Sequence, residues 1–522
     1  MKKTLLFILA GFLSVNMLFA GGIVTNTNQS AAWARYFSRY ATLDIDGVYF
    51  NPAGMAMLPE GFHFSVNNQS VWQTQTLTND FELLNYGPDY IGKVKAPVFP
   101  SIYAAYKIGK FAISFGFNPI GGGGSATYEK GLPAFEFMSG VNLVNTLNAS
   151  GITTSNYHVD TYLDGSSVYY GYQAGLSYQI NDMIGVFAGA RYVSAINKYE
   201  GSLKNLQINP TDPLVNPSGE MISAPLYFSE MSDTTKSLAD NVLYPAQTMA
   251  SALNPDDPVN ALLVPLLQAF GVDPTGMTNA QAAAAFAALG DNYTQLSQEA
   301  AASSQLTADQ EVDVKQTGSG ITPIFGIHFS FPMLDVALKY EMKTSLKLTN
   351  ATTKDFLLGY NPETGDPVTM YPDGAVTNAD MPAMLSGGVN VRPVKRLQAS
   401  AGFEYYWDKN VNWDGREKDI ENNSYSLNVS LQYNITNKIL VSGGYGYANM
   451  GVGKNYQSDL SYSLSSSSIC FGGAVDFTPN IRLNLGYSMV MYKDDVVDVP
   501  TVYTQTYAKD TKIFAVGLDF SF

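Results

Sequence analysis

The sequence predicts an all-β fold: a transmembrane antiparallel β-barrel of about 14 strands, with an N-terminal hatch (plug) and helical insertions in one long extracellular loop. Three observations lead to this prediction. Apolar and polar residues alternate with period two in many segments, short turns alternate with long connections, and the chain begins with an apolar export segment. In a membrane barrel the apolar face of each strand is turned outward to lipid, and the small and polar face lines the lumen.

The first element is the export segment. Met1-Lys2-Lys3 is a short basic start, the run from Leu5 to about Phe19 is apolar, and small residues follow from Ala20. This pattern predicts a secretory signal peptide at residues 1–20, cleaved near Ala20. A membrane-anchoring helix is the alternative, but the run is short for a span of about 20 residues.

The next element, residues 21–60, shows no period-two alternation. It is rich in small residues, and Pro52 stiffens a turn within the stretch from Asp46 to Ala56. A segment of this size ahead of the first strand is expected to fold into the barrel as a hatch, because larger barrels often need a plug to prevent leakage. A periplasmic tail is the alternative.

Residues 61–522 are predicted to form the barrel. Turn-forming residues such as Gly109-Lys110 and Asn181-Asp182 separate successive alternating segments, as tight hairpins require. The predicted strands cover residues 62–77, 99–108, 111–119, 166–180, 183–195, 321–331, 333–348, 385–392, 395–407, 423–435, 438–447, 462–477, 481–492 and 513–522.

Long connections separate the hairpins, at about 79–98, 121–165, 198–320, 350–381, 409–422, 449–461 and 494–508. Short turns in the periplasm and long loops outside are the outer-membrane pattern. The loop at 198–320 is predicted to contain helices. In it, Thr278 and Gln281 form a capping box before the Ala-rich residues 282–289, and Gly290 suits a helix end. A second apolar helical face precedes this one, and Pro265 is expected to kink it.

The last strand shows the clearest two-faced pattern. Its apolar face consists of Phe514, Val516, Leu518, Phe520 and Phe522. A terminal Phe closing such a strand resembles the signal read by the bacterial barrel-assembly machinery. The predicted location is therefore the outer membrane of a Gram-negative bacterium, where outer-membrane lipid and lipopolysaccharide would surround a monomeric multi-pass barrel.

Composition excludes several other functions. The formal net charge of −15 argues against nucleic acid as a partner, because neutralising phosphates needs clustered Lys and Arg. Cys470 is the only cysteine, and the three histidines, His63, His158 and His328, show no zinc-binding spacing. We therefore predict no catalytic site, no metal and no cofactor. A lipase with Ser and His on neighbouring strands is the remaining enzyme alternative.

The stretch Phe50-Asn51-Pro52-Ala53-Gly54 resembles the hatch of FadL/TodX-type outer-membrane transporters of long-chain fatty acids and other hydrophobic compounds. The hairpin from Pro100 to Pro119, the glycine run from Gly121 to Gly124, the segment from Gly326 to Tyr340 and the stretch from Met381 to Asp408 are also similar. The resemblance implies a fourteen-stranded barrel that takes up hydrophobic molecules passively. It also implies gating by the hatch and lateral release through a side opening near a kinked third strand.

Four groups of candidate site residues follow. The hatch and gating residues are Asn51, Pro52, Ala53 and Gly54. The candidate lumenal cations for a ligand's carboxylate are Arg191, Lys339, Lys343 and Arg482, with plain salt bridges to Glu341, Asp335 or Glu404 as the alternative. The candidate residues of an external capture groove are Leu262, Leu263, Leu266 and Phe270, which alternatively pack the loop's own core. Gly116 and Pro119 mark a lateral opening, or Pro119 simply ends its strand.

Two functions are compatible with these residues. The first is a channel for passive uptake of long-chain fatty acids or other hydrophobic compounds. The second is a surface receptor or adhesin that acts through the loop at 198–320. A polar porin is a weaker third possibility, because a hatch would block its water-filled path.

Overall fold

The computed structural model describes Ile23, residues 30–361 and residues 363–522. The predicted signal peptide, residues 1–20, lies outside the described residues, as do hatch residues 21–22 and 24–29. The predicted all-β class is confirmed, because fourteen antiparallel strands form the wall of a closed barrel. In chain order, β1 to β14 are Gly61–Asn79, Asp89–Ile108, Phe111–Tyr128, Tyr157–Asn181, Ile184–Ile208, Gln310–Phe331, Leu334–Glu341, Met384–Val394, Leu397–Tyr406, Tyr425–Asn434, Ile439–Asn449, Ser466–Thr478, Ile481–Tyr492 and Tyr503–Ser521.

The barrel closes between its first and last strands. β1 and β14 pair in antiparallel register, from His63 opposite Ser521 to Asn79 opposite Gln505. The other wall strands pair with their neighbours in sequence, and β7 continues through Lys347–Lys354 after an irregular stretch. Closure of this kind leaves the sheet without an open edge. Five shorter strands lie outside the wall or extend it: Ile222–Ser223, Leu357–Tyr360 with its partner Pro367–Thr369, Val376–Asn378 and Asp495–Val499.

The outer face of the wall is apolar, as predicted. In β10, Leu427, Val429 and Leu431 are 52%, 53% and 58% exposed, whereas Ser430 between them is 3% exposed. In β14, Phe514 is 45% exposed, but its neighbour Ala515 is completely buried. Large apolar side chains facing outward around a closed barrel are the arrangement of a membrane barrel, in which they meet lipid.

Several strands extend farther outward than predicted. β4 begins at Tyr157 and β5 ends at Ile208, although alternation predicted strands over 166–180 and 183–195. β14 likewise begins at Tyr503 instead of residue 513. The apolar alternation stops where the membrane ends, because residues beyond that level face water, but the backbone pairing continues.

Helices lie in the hatch and in the outer connections between β3 and β4 and between β5 and β6. In chain order, α1 to α8 are Ala31–Arg35, Gly47–Phe50, Pro133–Glu136, Asn142–Ala149, Ala224–Leu238, Tyr244–Ser251, Val264–Ala269 and Asn279–Leu306. π-helical turns at Phe137–Val141 and Ala239–Leu243 join α3 to α4 and α5 to α6. Short 3₁₀ turns cover Pro52–Met57, Asp408–Asn410, Arg416–Asp419 and Lys454–Tyr456. In the described part of the chain, no helix combines the length and apolarity needed to cross a membrane.

The helical insert, residues 222–306, corrects two sequence predictions. The capping box of Thr278 and Gln281 is confirmed at the start of α8, but α8 does not end at Gly290. Gly290 lies in the middle of α8, where it contacts the Tyr244 ring of α6. A Cβ at this position would lie 2.6 Å from that ring, so glycine is the residue that allows α6 and α8 to pack closely. Pro265 lies in the first turn of α7, where its missing N–H costs nothing, and therefore starts a helix instead of kinking one.

The outer end of the barrel is closed by an apolar core, which we call the outer cluster. It joins α3 and α4 to the outer parts of the wall strands, and its buried members include Leu77, Tyr128, Phe135, Leu203, Phe356 and Tyr507. Glu136 is fully buried beside it and accepts hydrogen bonds from Asn85 N (2.6 Å), Tyr157 Oη (2.7 Å) and Tyr90 Oη. Neutral donors thus satisfy a buried carboxylate and tie three outer segments together.

Candidate functional site

Most residues of the hatch from Ser30 to Leu58 are buried inside the barrel. Ser30 caps α1: its Oγ accepts a hydrogen bond from Trp33 N at 2.9 Å and donates one to Asp46 Oδ2 at 2.6 Å. The helix then lies against the wall, where Ala31 N donates to Asn67 Oδ1 of β1 at 3.0 Å. The capping serine therefore fixes both the start of the helix and its place in the hatch.

Arg39 holds the hatch in its folded form. Its guanidinium is bidentate on Asp46, with Nε 2.9 Å from Oδ2 and Nη2 2.6 Å from Oδ1. The same Nη2 lies 2.7 Å from Asp44 Oδ2. Arg39 and Asp46 are 1% and 2% exposed, so each charge depends on the other for its stabilisation.

Arg35 attaches the hatch to three strands in the C-terminal part of the wall. Its Nη1 donates to Gln432 Oε1 of β10 and to Ser442 Oγ of β11, both at 2.9 Å. Its Nε and Nη2 donate to Asn484 Oδ1 of β13 at 3.2 and 3.1 Å. One completely buried side chain thus spans three strands through neutral acceptors.

The four predicted gating residues lie together in the 3₁₀ turn at Pro52–Met57 and at its cap, Asn51. Asn51 Oδ1 accepts from Gly54 N at 3.3 Å, and Asn51 Nδ2 donates to Thr42 O at 2.9 Å. Ser177 Oγ of β4 donates to Pro52 O at 2.7 Å. The backbone of Ala53 approaches β5 so closely that a Cβ at Gly185 would lie 2.6 Å from Ala53 O.

Asn51 also contacts a buried histidine of the wall. Asn51 Nδ2 lies 3.0 Å from His328 Nδ1 of β6, and His328 is completely buried. Because an amide nitrogen only donates, Nδ1 is the acceptor and the histidine proton lies on Nε2, which faces Asp335 Oδ1 at 3.6 Å. Asp335 is in turn held by Arg392 Nη1 at 2.6 Å. The gating turn is therefore connected to β6, β7 and β8 through one line of polar side chains.

Arg191 and Lys339, two of the predicted lumenal cations, face the hatch. Both are ion-paired with Glu341, at 2.6 Å from Arg191 Nη1 and 2.7 Å from Lys339 Nζ. Lys339 Nζ also donates to Tyr49 O at 2.8 Å, and the cationic groups lie 5.0 Å (Arg191) and 4.5 Å (Lys339) from the Tyr49 ring centroid. These contacts hold α2 of the hatch against β5 and β7.

The other two predicted cations lie elsewhere and also have carboxylate partners. Lys343 Nζ is 3.0 Å from Asp380 Oδ2, and its side chain is 44% exposed. Arg482 Nε is 2.6 Å from Asp476 Oδ1, and its Nη1 is 3.7 Å from Asp44 of the hatch. All four side chains therefore have carboxylate partners, but among the three partners predicted from the sequence only Glu341 is used, and Lys343 and Arg482 pair with Asp380 and Asp476 instead.

The wall is irregular between β2 and β3, beside the hatch. The register of β2 with β3 is interrupted between Val94 and Ile102, and β3 shifts register with β4 between Pro119 and Gly124. Pro119 does not end β3, because the strand continues to Tyr128. Gly116, the other predicted residue here, lies just below, and a Cβ on it would be 3.2 Å from Val48 Cγ1 of the hatch. We call this part of β2 and β3, residues 95–101 and 118–125, the wall interruption.

The predicted capture residues lie in the helical insert. Leu263 is buried in a small core with Leu267, Phe286 and Leu243, and Leu266 and Phe270 are partly buried against it. Leu262 is 74% exposed. A small, largely enclosed cavity of about 20 Å³ lies in the outer cluster, lined mainly by Met138, Leu143, Leu203, Leu206, Leu306 and Phe356.

One Ser–His pair lies on neighbouring strands, as the enzyme alternative requires. His63 Nδ1 of β1 is 3.0 Å from Ser521 Oγ of β14. However, His63 Nε2 lies 3.0 Å from the carbonyl oxygen of Pro59 and not from a carboxylate. The third member that orients a catalytic histidine is therefore replaced by a backbone carbonyl.

Sequence reasoning missed His328 and the two hatch arginines as site residues. His328 lies on the buried face of β6, two residues after Gly326, so strand alternation alone would have placed it in the lumen. Arg35 and Arg39 were detectable as two cations within a segment otherwise rich in small residues. Their partners were not detectable, because Asn484 is separated from Arg35 by 449 residues.

Comparison with known proteins supports the fold. No protein-family model and no curated protein matches the sequence. The structure is similar to that of a Pseudomonas aeruginosa FadL homologue, with 12% sequence identity, a TM-score of 0.55, and coverage of 97% of this chain and 99% of that one. It is also similar to the Pseudomonas putida toluene transporter TodX, with 13% identity, a TM-score of 0.52, and coverage of 96% and 100%. The predicted resemblance to this group is thus confirmed in the fold over almost the whole chain.

Proposed function

We propose that this chain is an outer-membrane channel for passive uptake of long-chain fatty acids or other hydrophobic compounds. The hatch gates the lumen, and the compound leaves sideways through the wall interruption. The observation that carries this proposal is the position of the wall interruption beside the hatch: Ile120 of β3, inside the interruption, is completely buried in one apolar cluster with Val48 and Tyr49 of the hatch. A lumen closed along its axis but irregular in its side wall favours lateral exit over passage into the periplasm.

The contacts of the hatch support this route. Side chains of β1, β4, β6, β7, β10, β11 and β13 hold it in place, so a straight aqueous path is blocked. A polar porin requires that path to be open. At the wall interruption Val98 is 72% exposed, and Pro97 and Pro100 beside it are exposed too, whereas the exposed Lys93 and Lys95 lie farther out on β2. A hydrophobic compound leaving here would therefore pass from the lumen into lipid.

The fold supports the same proposal by analogy. The two similar structures are named as a FadL homologue and a toluene transporter, but a fold alone does not determine a function. On this proposal a compound must pass the outer cluster, which closes the outer end of the barrel, before it reaches the hatch. Leu263, Leu266 and Phe270 pack the helical insert, whereas Leu262, which is 74% exposed, faces outward from it.

Asn51→Ala is expected to lower the uptake of a labelled long-chain fatty acid into proteoliposomes at least about fivefold. The variant loses the cap on Gly54 N and leaves Thr42 O and His328 Nδ1 without their buried donor, at a cost of about 1–3 kcal/mol for each unsatisfied group. Asn241→Ala, in the exposed helical insert, is the matched control and should leave uptake unchanged.

The same variant separates the two functions. A receptor or adhesin that acts through the helical insert would keep its partner binding in Asn51→Ala, and its wild type would show no saturable uptake. Uptake by the wild type that is unaffected in Asn51→Ala would contradict the gating role of this turn.

A further inference from the structure

Lys509 of β14 differs from the other lumenal lysines in its surroundings. By register it shares the inward face of the strand with Tyr507, Thr511 and Ile513, which are all buried. The inward-facing Lys339 is ion-paired with Glu341, and the buried Lys107 donates to Gly109 O. In the described part of the chain, no carboxylate oxygen lies within 4.0 Å of Lys509 Nζ, and no hydrogen bond from it to a protein oxygen is found.

Two tyrosine rings hold this ammonium group instead. Lys509 Nζ lies 4.9 Å from the centroid of the Tyr462 ring and 5.4 Å from that of Tyr492. Tyr462 is itself fixed, since its Oη donates to Ala508 O at 3.1 Å and its ring lies 5.1 Å from that of Tyr507. Aromatic faces position a cation without neutralising it, so the positive charge remains available to an anion.

The apolar surroundings lie on one side of this charge. Tyr507, two residues away on the same face, belongs to the outer cluster, as do Leu77 and Leu84. Lys509 is half-buried on the inward face of the strand, beside these apolar side chains. An apolar surface beside a single held cation is the arrangement that binds an amphiphile with one anionic head.

We propose that Lys509, held by Tyr462 and Tyr492, is the head-group site for the carboxylate of a single-chain amphiphile whose tail lies along the outer cluster. This inference rests on the proposed function and specifies its ligand class. It replaces Arg191, Lys339, Lys343 and Arg482 in that role, because those four side chains already have carboxylate partners.

The test compares binding of dodecanoate and of its uncharged methyl ester to the full-length protein in lipid nanodiscs. Lys509→Met should weaken dodecanoate binding roughly tenfold or more, since a hydrogen bond to a charged group contributes about 1.5–3 kcal/mol. It should leave methyl ester binding within about twofold of the wild type. Lys509→Arg should retain most of the affinity for dodecanoate, and added salt should weaken dodecanoate binding only when a cation is present at 509.

Lys512→Met is the matched control, because Lys512 lies on the same strand but on its exposed face. It should bind both probes like the wild type. Equal loss of both probes in Lys509→Met, or loss of neither, would overturn the head-group site while leaving the channel proposal intact. Failure of the wild type to bind either probe would overturn both the head-group site and fatty acids as the compound taken up in the proposed function. Heat-modifiable mobility on gels verifies that each variant contains a folded barrel.

Discussion

Replacing Arg39 with alanine is expected to release the hatch and make the barrel conduct ions. The substitution leaves Asp46, which is 2% exposed, without its bidentate partner, and Asp44 loses a contact at 2.7 Å. Removing one partner of a buried ion pair costs about 3–5 kcal/mol, because the remaining charge is uncompensated. The wall strands do not contain this pair, so the barrel itself should persist.

Ion conductance in planar bilayers measures this effect. The wild type should be nearly silent, and Arg39→Ala should show long-lived open events while the barrel remains heat-modifiable on gels. Lys236→Ala is the control, because its ion pair with Asp240 is exposed on the helical insert, at 66% and 49% exposure of the two side chains, and is of little energetic value. The double variant Arg39→Met with Asp46→Leu removes both charges together and should show fewer open events than Arg39→Ala. Silence of Arg39→Ala would mean that the pair does not hold the hatch.

Gly402→Val should displace the hatch by a different mechanism, through steric overlap. A Cβ at Gly402 of β9 would lie 2.1 Å from a ring carbon of Tyr40 in the hatch and 3.0 Å from Gly387 O of β8. Tyr40 is 3% exposed, and Asn428 Nδ2 of β10 donates to its Oη at 3.0 Å, so its ring has little room to move. Overpacking of this kind typically costs about 1–3 kcal/mol, and here the cost falls on the contact between hatch and wall.

Limited proteolysis of the hatch in intact proteoliposomes is the readout. Gly402→Val should expose the hatch to cleavage, and the added substitution Tyr40→Ala should restore protection by removing the overlapping ring. Gly165→Val in β4 is the matched control, because the nearest atom to a Cβ there is 3.6 Å away, which is an ordinary contact. Cleavage that Tyr40→Ala does not reverse would contradict the steric explanation.

The sequence predicted the barrel well because lipid imposes a local rule. Each residue of β10 faces either lipid or the hatch and lumen, so consecutive residues alternate between apolar and polar side chains. The outer strand ends were predicted poorly, because beyond the membrane both faces of a strand are partly wet. For this reason Lys509 fell between the predicted loop at 494–508 and the predicted strand at 513–522, although β14 begins at Tyr503.

The candidate site was predictable only in part. The turn that holds the four predicted gating residues could be recognised from the sequence because it has a local signature, and Asn51 caps it. The contact of Asn51 with His328 joins residues 277 positions apart, and no local pattern encodes such a contact. The four predicted cations were placed on inward faces, but their ion pairs depend on the register between strands, which alternation does not determine.

The register itself indicates how to close the wall interruption. Pro119 of β3 pairs with Tyr170 of β4, and Gly124 pairs with Ser167. The distance along the chain between these pairs is five residues in β3 and three in β4, so β3 carries two extra residues. Between Ala96 and Phe99, β2 advances three residues where β1 advances two, so β2 carries one extra residue. Removing Gly122, Gly123 and Pro97 would leave β2 and β3 the same length between their flanking pairs, Val94–Ala126 and Ile102–Phe117.

The most direct test of lateral release is the initial rate of uptake of a labelled hydrophobic compound by proteoliposomes containing this three-residue deletion. The barrel and the hatch should stay folded, and deletion of residues 364–365 in the exposed β7–β8 loop is the control. If the compound leaves through the wall interruption, the three-residue deletion should reduce uptake to the level of empty liposomes, and the control deletion should leave it unchanged. An uptake rate equal to that of the wild type in a barrel closed between β2 and β3 would contradict lateral release.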